Sequence, residues 1–261
     1  MSSTPKPDDE LAGTEQPFVS HLIELRDRLV RAAIAIGICF GVLAIYPGPS
    51  ALYDLLAAPL VAQLPQGSTL IATNVISPFM VPLKITLLAG FLIALPVVLY
   101  QVWAFVAPGL YSHEKRLVLP LVVSSTLLFF VGVAFCYFFV FGQVFKFIQS
   151  FAPKSITAAP DIEAYLSFVM SMFIAFGAAF EVPVVVVVLA RMGLVTVEKL
   201  REFRGYFIVV AFVIAAVITP PDVVSQLALA IPMCILYELG VFAAGYFIRY
   251  SKAPDEGAEP S

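Results

Sequence analysis

Charged side chains are scarce in this chain: Asp, Glu, Lys and Arg make up 13% of its 261 residues, about half the share usual in soluble domains. Hydrophobic residues reach 61%. This composition excludes an ordinary soluble domain and makes lipid the solvent for most of the chain. The net charge of −3 offers no basic excess, which argues against a nucleic-acid partner.

Cysteine is also rare, and nucleotide motifs are absent. Cys39, Cys136 and Cys234 stand singly in apolar surroundings, with no CxxC pair that would indicate a metal site or a disulfide framework. No GxxxxGK[ST] phosphate loop occurs, so we expect neither ATP as the energy source nor any cofactor. The first 28 residues are polar and begin acidic, unlike a secretory signal peptide, so the first apolar stretch is expected to be a retained span.

What the chain does contain is a series of long apolar segments. A helix needs about 20 residues to cross the hydrocarbon core, and these runs lack the two-residue alternation of a membrane β-strand. The sequence therefore predicts an all-α polytopic membrane protein, with a membrane domain over 18–250 and disordered cytoplasmic tails over 1–17 and 251–261. The predicted spans are about 29–45, 83–106, 117–141, 165–189, 206–219 and 223–248.

The distribution of Lys and Arg predicts the orientation. If the N-terminus is cytoplasmic, every Lys and Arg except Lys84, Lys146 and Lys154 falls on the inner side. Because positively charged loops stay cytoplasmic, both termini are expected to lie inside.

The spans and their outer connections are uneven. The fifth span reaches only about 21 Å, which is shorter than the bilayer. Proline interrupts other spans and favours bends there, at Pro96, Pro120, Pro183 and Pro232. The proline-rich connection 46–82 should form an outer cap with a short helix near 51–63. We expect a curved, open bundle, in which Gly37 and Gly41 form a GxxxG for close helix packing.

Segment 18–31 is amphipathic and should lie along the inner membrane surface. Glu24 with Arg28, and Asp27 with Arg31, are acid-before-base pairs four residues apart. A solvated, self-neutralised helix face explains them adequately. Arg26 falls nearer the apolar stripe and is harder to dismiss as solvated.

Glu114, in the first inner loop, shares the cytoplasmic face with Glu24. A loop carboxylate among basic residues is usually plain surface charge. However, two carboxylates from different elements could together bind a ligand with two positive charges. Arginine would suit such a site better than lysine, because its planar fork donates two parallel hydrogen bonds to a carboxylate.

Glu181 lies inside the fourth span among apolar residues. An acid there costs on the order of 3 kcal/mol and is a functional-site hypothesis by default, although protonation or pairing for packing alone remains possible. One alternative function is a proton-coupled small-solute transporter that uses Glu181. An intramembrane hydrolase is disfavoured, because His21 and His113 both lie in cytoplasmic segments.

The last outer connection is very short, Thr219-Pro-Pro-Asp222. It is typical of a helix start, with Thr219 as the N-cap and Asp222 at the third position. Capping alone would explain Asp222, so its functional role stays open. Gln226 follows one turn later and is expected to hydrogen-bond across to another helix.

Several motifs together resemble the TatC family of the twin-arginine translocase over nearly the whole chain. They are HLIELRDRL at 21–29, SPF at 77–79, YQVWAFVAPGLYSHEKR at 100–116, SFVMSMFIAFGAAFEVPVV at 167–185 and ITPPDVVSQLALAIPM at 218–233. The resemblance implies a glove-shaped receptor in the cytoplasmic membrane. It would bind twin-arginine signal peptides of folded precursors and start their export, coupled to the proton-motive force and without enzymatic activity.

The resemblance also implies roles for individual residues. Glu24 and Glu114 would receive the paired arginines, and Arg26 and Phe105 would belong to the same surface. Glu181 would face the concave interior. On the outer side, the resemblance implies cap and partner-contact positions at Pro59, Asp222 and Gln226. Gln226 would lie near the contact surface for the single-span partners TatA and TatB, in a complex holding several copies of this chain.

Overall fold

The computed structural model describes residues 7–61, 70–106, 118–151, 161–219 and 222–251. Nearly all of them are helical, and the β-pairing in the described part is a single bridge between Ile71 and Asp161. The all-α fold class is therefore confirmed. The helices are α1 (Pro7–Ile45), α2 (Pro49–Val61), α3 (Ser77–Val106), α4 (Val118–Phe135), α5 (Phe141–Phe151), α6 (Ile162–Ala179), α7 (Val182–Arg191), α8 (Val197–Glu202), α9 (Arg204–Ile218) and α10 (Val223–Ser251).

The later helices match the expected spans closely, but α1 continues without a break through segment 18–31, so the expected turn between a surface helix and the first span is absent. Five stretches of the described chain are long and apolar enough to cross a membrane: Val19–Ile45, Ser77–Val106, Leu119–Val144, Ile162–Arg191 and Val223–Tyr246. The fifth expected span is α9, with 15 residues, which gives a length of about 22 Å and confirms the short span. Helix α1 begins at Pro7, inside the segment predicted to be a disordered tail.

The bundle is centred on α3 and α6. Helix α3 packs against α1, α2, α4 and α6, while α10 packs against α7 and α9. The main hydrophobic core of the bundle contains the fully buried side chains of Phe141, Met172, Phe176 and Leu229. Helix α1 contacts mainly α3 and leaves most of its apolar surface uncovered, as expected for an open bundle in lipid.

Two glycines allow α4 and α6 to approach closely. A Cβ at Gly132 would lie 2.5 Å from the Phe176 carbonyl oxygen, and one at Gly177 would lie 2.3 Å from the Phe129 ring. Gly37 and Gly41 have nothing within 4 Å of an added Cβ, so the described part of this chain makes no close helix contact at the GxxxG, and the predicted helix packing there stays a prediction.

Proline breaks one span and leaves others continuous. Helix α6 ends at Ala179, Phe180 and Glu181 form a turn, and α7 starts at Val182. The reason is Pro183, which lacks an N–H and whose ring clashes with the carbonyl four residues earlier. Pro96 and Pro232 lie within continuous helices. A π-helical turn at Cys136–Val140 separates α4 from α5 without any proline, and the sequence did not indicate it.

The end of the bundle that carries α2 is stabilised by polar contacts. The expected cap helix is present as α2. Near it, the Glu163 carboxylate accepts hydrogen bonds from Lys84 Nζ at 2.6 Å and Ser77 Oγ at 2.7 Å. These contacts tie the start of α3 to the start of α6.

Asp161 caps α6 and also binds the segment before α3. Its Oδ1 accepts from the N–H groups of Glu163 and Ala164, and its Oδ2 accepts from Thr73. The Thr73 hydroxyl, followed by the Ala164 N–H, lowers the pKa of Asp161 from 3.8 to about 2. Because the folded pKa is the lower one, this contribution to stability is present above pH 3.8 and is lost as the pH falls towards 2.

Gly132→Ala should destabilise the protein by about 1–3 kcal/mol, since the new methyl group would overlap the α6 backbone. Thermal unfolding of the detergent-solubilised protein measures this as a lower melting temperature. Gly142→Ala is the matched control, because its Cβ would enter open space. Equal melting temperatures for the two variants would contradict the close packing of α4 on α6.

Candidate functional site

An aromatic contact joins the polar part of α1 to the end of α3. The His21 ring stacks on the Phe105 ring, with centroids 4.4 Å apart and planes 14° from parallel. This contact places the His21–Glu24 turn of α1 beside Phe105, a residue that the resemblance assigned to recognition. We call His21, Glu24, Arg28 and Phe105 the recognition cluster.

Glu24 is held at one oxygen, and its side chain is partly exposed. Arg28 donates from Nε and Nη2 to Glu24 Oε1 at 2.9 and 2.6 Å, which confirms the predicted pair. His21 Nδ1 lies 3.8 Å from the other oxygen, Oε2. The Glu24 side chain as a whole is 39% exposed, so an incoming donor could reach the carboxylate while Arg28 holds it in position.

Arg26 does not behave as the sequence suggested. Its side chain is 71% exposed, and it donates to Asp27 Oδ1 from Nε at 3.0 Å and Nη2 at 2.7 Å. The predicted pairing of Asp27 with Arg31 is therefore wrong. Arg26 still lies beside the apolar stripe on the helix, since the stripe residues Leu22 and Leu29 are themselves exposed. Exposed ion pairs differ by only a few tenths of a kcal/mol, so a flexible arginine can exchange one acid for another.

Glu114 lies outside the described residues. Its proximity to Glu24 stays a prediction. Phe105, which is half-buried, is among the last described residues before the loop that carries Glu114, and it lies at the recognition cluster.

Glu181 occupies the turn between α6 and α7, where it is 9% exposed. Both of its carboxylate oxygens are buried without a hydrogen bond in the described part of the chain. Ser125 is the polar side chain that acts on this carboxyl, although the contact falls short of a well-formed hydrogen bond, and the Ser125 Oγ accepts from Trp103 Nε1 at 2.8 Å. Leaving a buried polar group poorly satisfied costs about 1–3 kcal/mol. Packing in the described residues therefore gives little reason for an acid at this position.

Thr219 and Asp222 both differ from the positions that the sequence predicted. Thr219 ends α9, with its Oγ1 donating to the Ala215 carbonyl at 2.8 Å, so its assignment as an N-cap is wrong. Asp222 caps α10 instead, because its Oδ1 accepts from the Ser225 N–H at 2.7 Å. Its Oδ2 is buried without a hydrogen bond to any described residue. The extended backbone at Thr219 places it at the end of one helix rather than the start of the next.

The remaining candidate residues are less constrained. Gln226 is half-buried, and its side chain forms no hydrogen bond within the described ranges, so the expected bond to another helix is not made there. Pro59 belongs to α2 by its backbone, and its side chain lies outside the described part. Glu238 is exposed and pairs with Arg204 at 2.7 Å.

Sequence reasoning missed several of these contacts. His21 was considered only as a possible catalytic base, although its place in HLIELRDRL puts it one turn before Glu24. The pair of Lys84 with Glu163 was missed as well, because nothing local connects residues so distant in the chain.

These features define a class: a multi-pass helical membrane protein with a cluster of charged and aromatic side chains at one end of the bundle and a buried acid within it. Residues 20–232 match the family described as Sec-independent protein translocase protein (TatC). The chain therefore belongs to the TatC family.

Curated relatives and solved structures agree with this assignment. The TatC of Escherichia coli strain K12 is 50% identical over 241 residues, covering 92% of this chain and 93% of the relative. The TatC of Aquifex aeolicus strain VF5 is 41% identical over 238 residues, covering 90% and 98%. A crystal structure of the twin-arginine translocase receptor TatC superposes with a TM-score of 0.75 at 43% identity, covering 88% of this chain and all of that one. These findings confirm the resemblance and do not favour the solute-transporter alternative.

Replacing Glu181 by an apolar residue of similar size should stabilise the protein. Glu181→Met removes two unsatisfied buried oxygens, so we expect a higher melting temperature in detergent together with impaired export, a trade of stability for function. The matched change Glu238→Met removes an exposed, paired acid and should not raise the melting temperature. A lower melting temperature for Glu181→Met would show that Glu181 has a structural role.

Proposed function

We propose that this chain is the signal-peptide receptor of a twin-arginine translocase. In this proposal it binds twin-arginine signal peptides of folded precursors at the cytoplasmic face. It then nucleates assembly for export driven by the proton-motive force. The supporting observation is the geometry of Glu24, a partly exposed carboxylate that Arg28 holds at one oxygen beside the His21–Phe105 stack, in a chain of the TatC family.

The recognition cluster suits a guanidinium ligand. Arg28 orients Glu24 through two hydrogen bonds to one oxygen, so little freedom is lost when a ligand binds the other. Glu24 would receive one arginine of the pair and Glu114 the second, with charge-assisted hydrogen bonds to each. The Phe105 ring would flank the ligand, as aromatic rings do for guanidinium groups. Arg26, exposed on the same helix, would contact the signal peptide outside the arginine pair.

The outer end of the bundle would serve partner contacts. Two polar groups near the short α9 could bind another protein. They are the side-chain amide of Gln226 and the Oδ2 of Asp222, neither of which has a hydrogen bond within the described residues. We propose that TatA and TatB approach here, with Pro59 supporting the outer cap. The Glu181 carboxyl would offer a hydrogen-bonding group inside the bundle to a hairpin of the signal peptide or to a partner helix. In this account the chain acts in a cytoplasmic membrane, in several copies per complex, and moves proteins without enzymatic chemistry.

Glu24→Gln should weaken the binding of a peptide with paired arginines by about tenfold to a hundredfold, because it removes a charge-assisted hydrogen bond worth roughly 1.5–3 kcal/mol. Fluorescence anisotropy with the full chain in nanodiscs measures the Kd. Glu198→Gln is the control, since Glu198 is an exposed acid on α8, outside the recognition cluster. Equal Kd values for all three proteins, or for paired-arginine and paired-lysine peptides, would refute this site.

The orientation is tested by cysteine labelling in a variant without Cys39, Cys136 and Cys234. In intact cells a membrane-impermeant maleimide should label Val75→Cys, since Val75 is 95% exposed in the outer connection. It should label Glu198→Cys only after the membrane is permeabilised. The reverse pattern would overturn the proposed orientation.

A further inference from the structure

A groove runs along one side of the bundle between α6–α7 and α9. It consists of two cavities of about 570 and 450 Å³ that share Ala178 and Val182 in their walls. Each volume falls within the roughly 300–1,000 Å³ typical of small-molecule sites. We call this feature the α9 groove.

The groove exists because α9 is short and poorly supported on one side. Helix α9 packs along α10 but touches α6 at only a few positions. Small side chains on α6, those of Ser171, Ala175, Ala178 and Ala179, leave the intervening space unfilled. The floor is formed by Met233 and Tyr237 of α10.

Apolar side chains line the groove along nearly its whole length. The groove is also open on one side. Ile174, Val185 and Val217 are 45%, 40% and 80% exposed, so the groove faces the surroundings of the bundle. The Tyr237 hydroxyl already donates to the Leu200 carbonyl at 2.7 Å. The groove therefore offers few hydrogen-bonding groups to a polar ligand.

One end of the groove carries a positive charge. Lys199 of α8 is the charged residue among the described lining, and its ammonium forms no ion pair within the described ranges. The exposed acids of the same helix, Glu198 and Glu202, do not line the groove. Nearby, Phe203 stacks on Tyr206 at 5.8 Å, and both rings are exposed. Exposed tyrosines of this kind mark the headgroup level of a membrane.

We propose that the α9 groove binds an anionic phospholipid from the leaflet on the α8 side. The acyl chain lies along the apolar wall past Val182 and Ala178, and the phosphate pairs with Lys199. A lipid satisfies both observed features, a hydrocarbon trough and a cation at headgroup depth. It also fills the space beside a helix of about 22 Å in a hydrocarbon core of about 30 Å. This proposal does not depend on the receptor function.

Native mass spectrometry tests it on the full chain taken from phosphatidylcholine nanodiscs that contain some phosphatidylglycerol. The wild-type protein should retain phosphatidylglycerol preferentially. Lys199→Gln should lower that retention about fivefold, because one lysine near the surface contributes about 1 kcal/mol to anionic-lipid binding. Ala178→Leu should fill the groove and lower retention of both lipids. Arg201→Gln is the matched control, since Arg201 is exposed on α8 but does not line the groove.

An equal loss for Lys199→Gln and Arg201→Gln would mean diffuse charge attraction and would overturn the proposal. Unchanged retention in both Lys199→Gln and Ala178→Leu would also overturn it. A photoreactive residue in place of Val185 identifies the occupant in native membranes. A mass increase equal to a phospholipid supports the proposal, whereas crosslinks to a protein alone would show that a partner helix occupies the groove.

Discussion

The hydrocarbon core of a bilayer offers no hydrogen-bond partners, and this constraint accounts for the placement of nearly every polar group in the chain. Ion pairs and caps concentrate at the two ends of the bundle: Glu24 with Arg28 at one, and Glu163 with Lys84 at the other. Between them, Ser125 is satisfied by Trp103. Glu181 departs from the pattern, because it is buried and both of its oxygens lack a hydrogen bond within the described residues. An acid that destabilises the isolated chain has to be explained by what the chain binds or how it moves.

The spans could be predicted well because the number of consecutive apolar residues, which decides whether a helix can cross the membrane, is read directly from the sequence. The short α9 and the break before Pro183 follow from the residues themselves. The π-helical turn at Cys136–Val140 could not be predicted, since no local breaker causes it. Surface charge pairing was predicted only in part: Glu24 does pair with Arg28, but Asp27 pairs with Arg26. Competing exposed pairs differ too little in free energy for sequence spacing to decide between them.

The site was less accessible to sequence reasoning than the fold. The stack of His21 on Phe105 places Glu24 beside the end of α3. This is a contact between two helices, and no local sequence pattern predicts it. Likewise, capping was expected to explain Asp222, and capping does occupy one of its oxygens, but the other is buried and has no partner among the described residues. The α9 groove arises from a mismatch between a short helix and its neighbours, which becomes visible only when both are assembled. The recognition cluster and the groove are thus separate features that use different chemistry, one charged and exposed, the other apolar with a single cation.

The central claim is that Glu24 directly accepts an arginine of the signal peptide. A double-mutant cycle tests it most directly, combining Glu24→Gln in the protein with replacement of each peptide arginine by glutamine, and measuring Kd for all combinations. If the groups touch, one arginine should show a coupling free energy of about 1 kcal/mol or more with Glu24. Losses that simply add for both arginines, within about 0.5 kcal/mol, would contradict direct contact and remove Glu24 from the binding site.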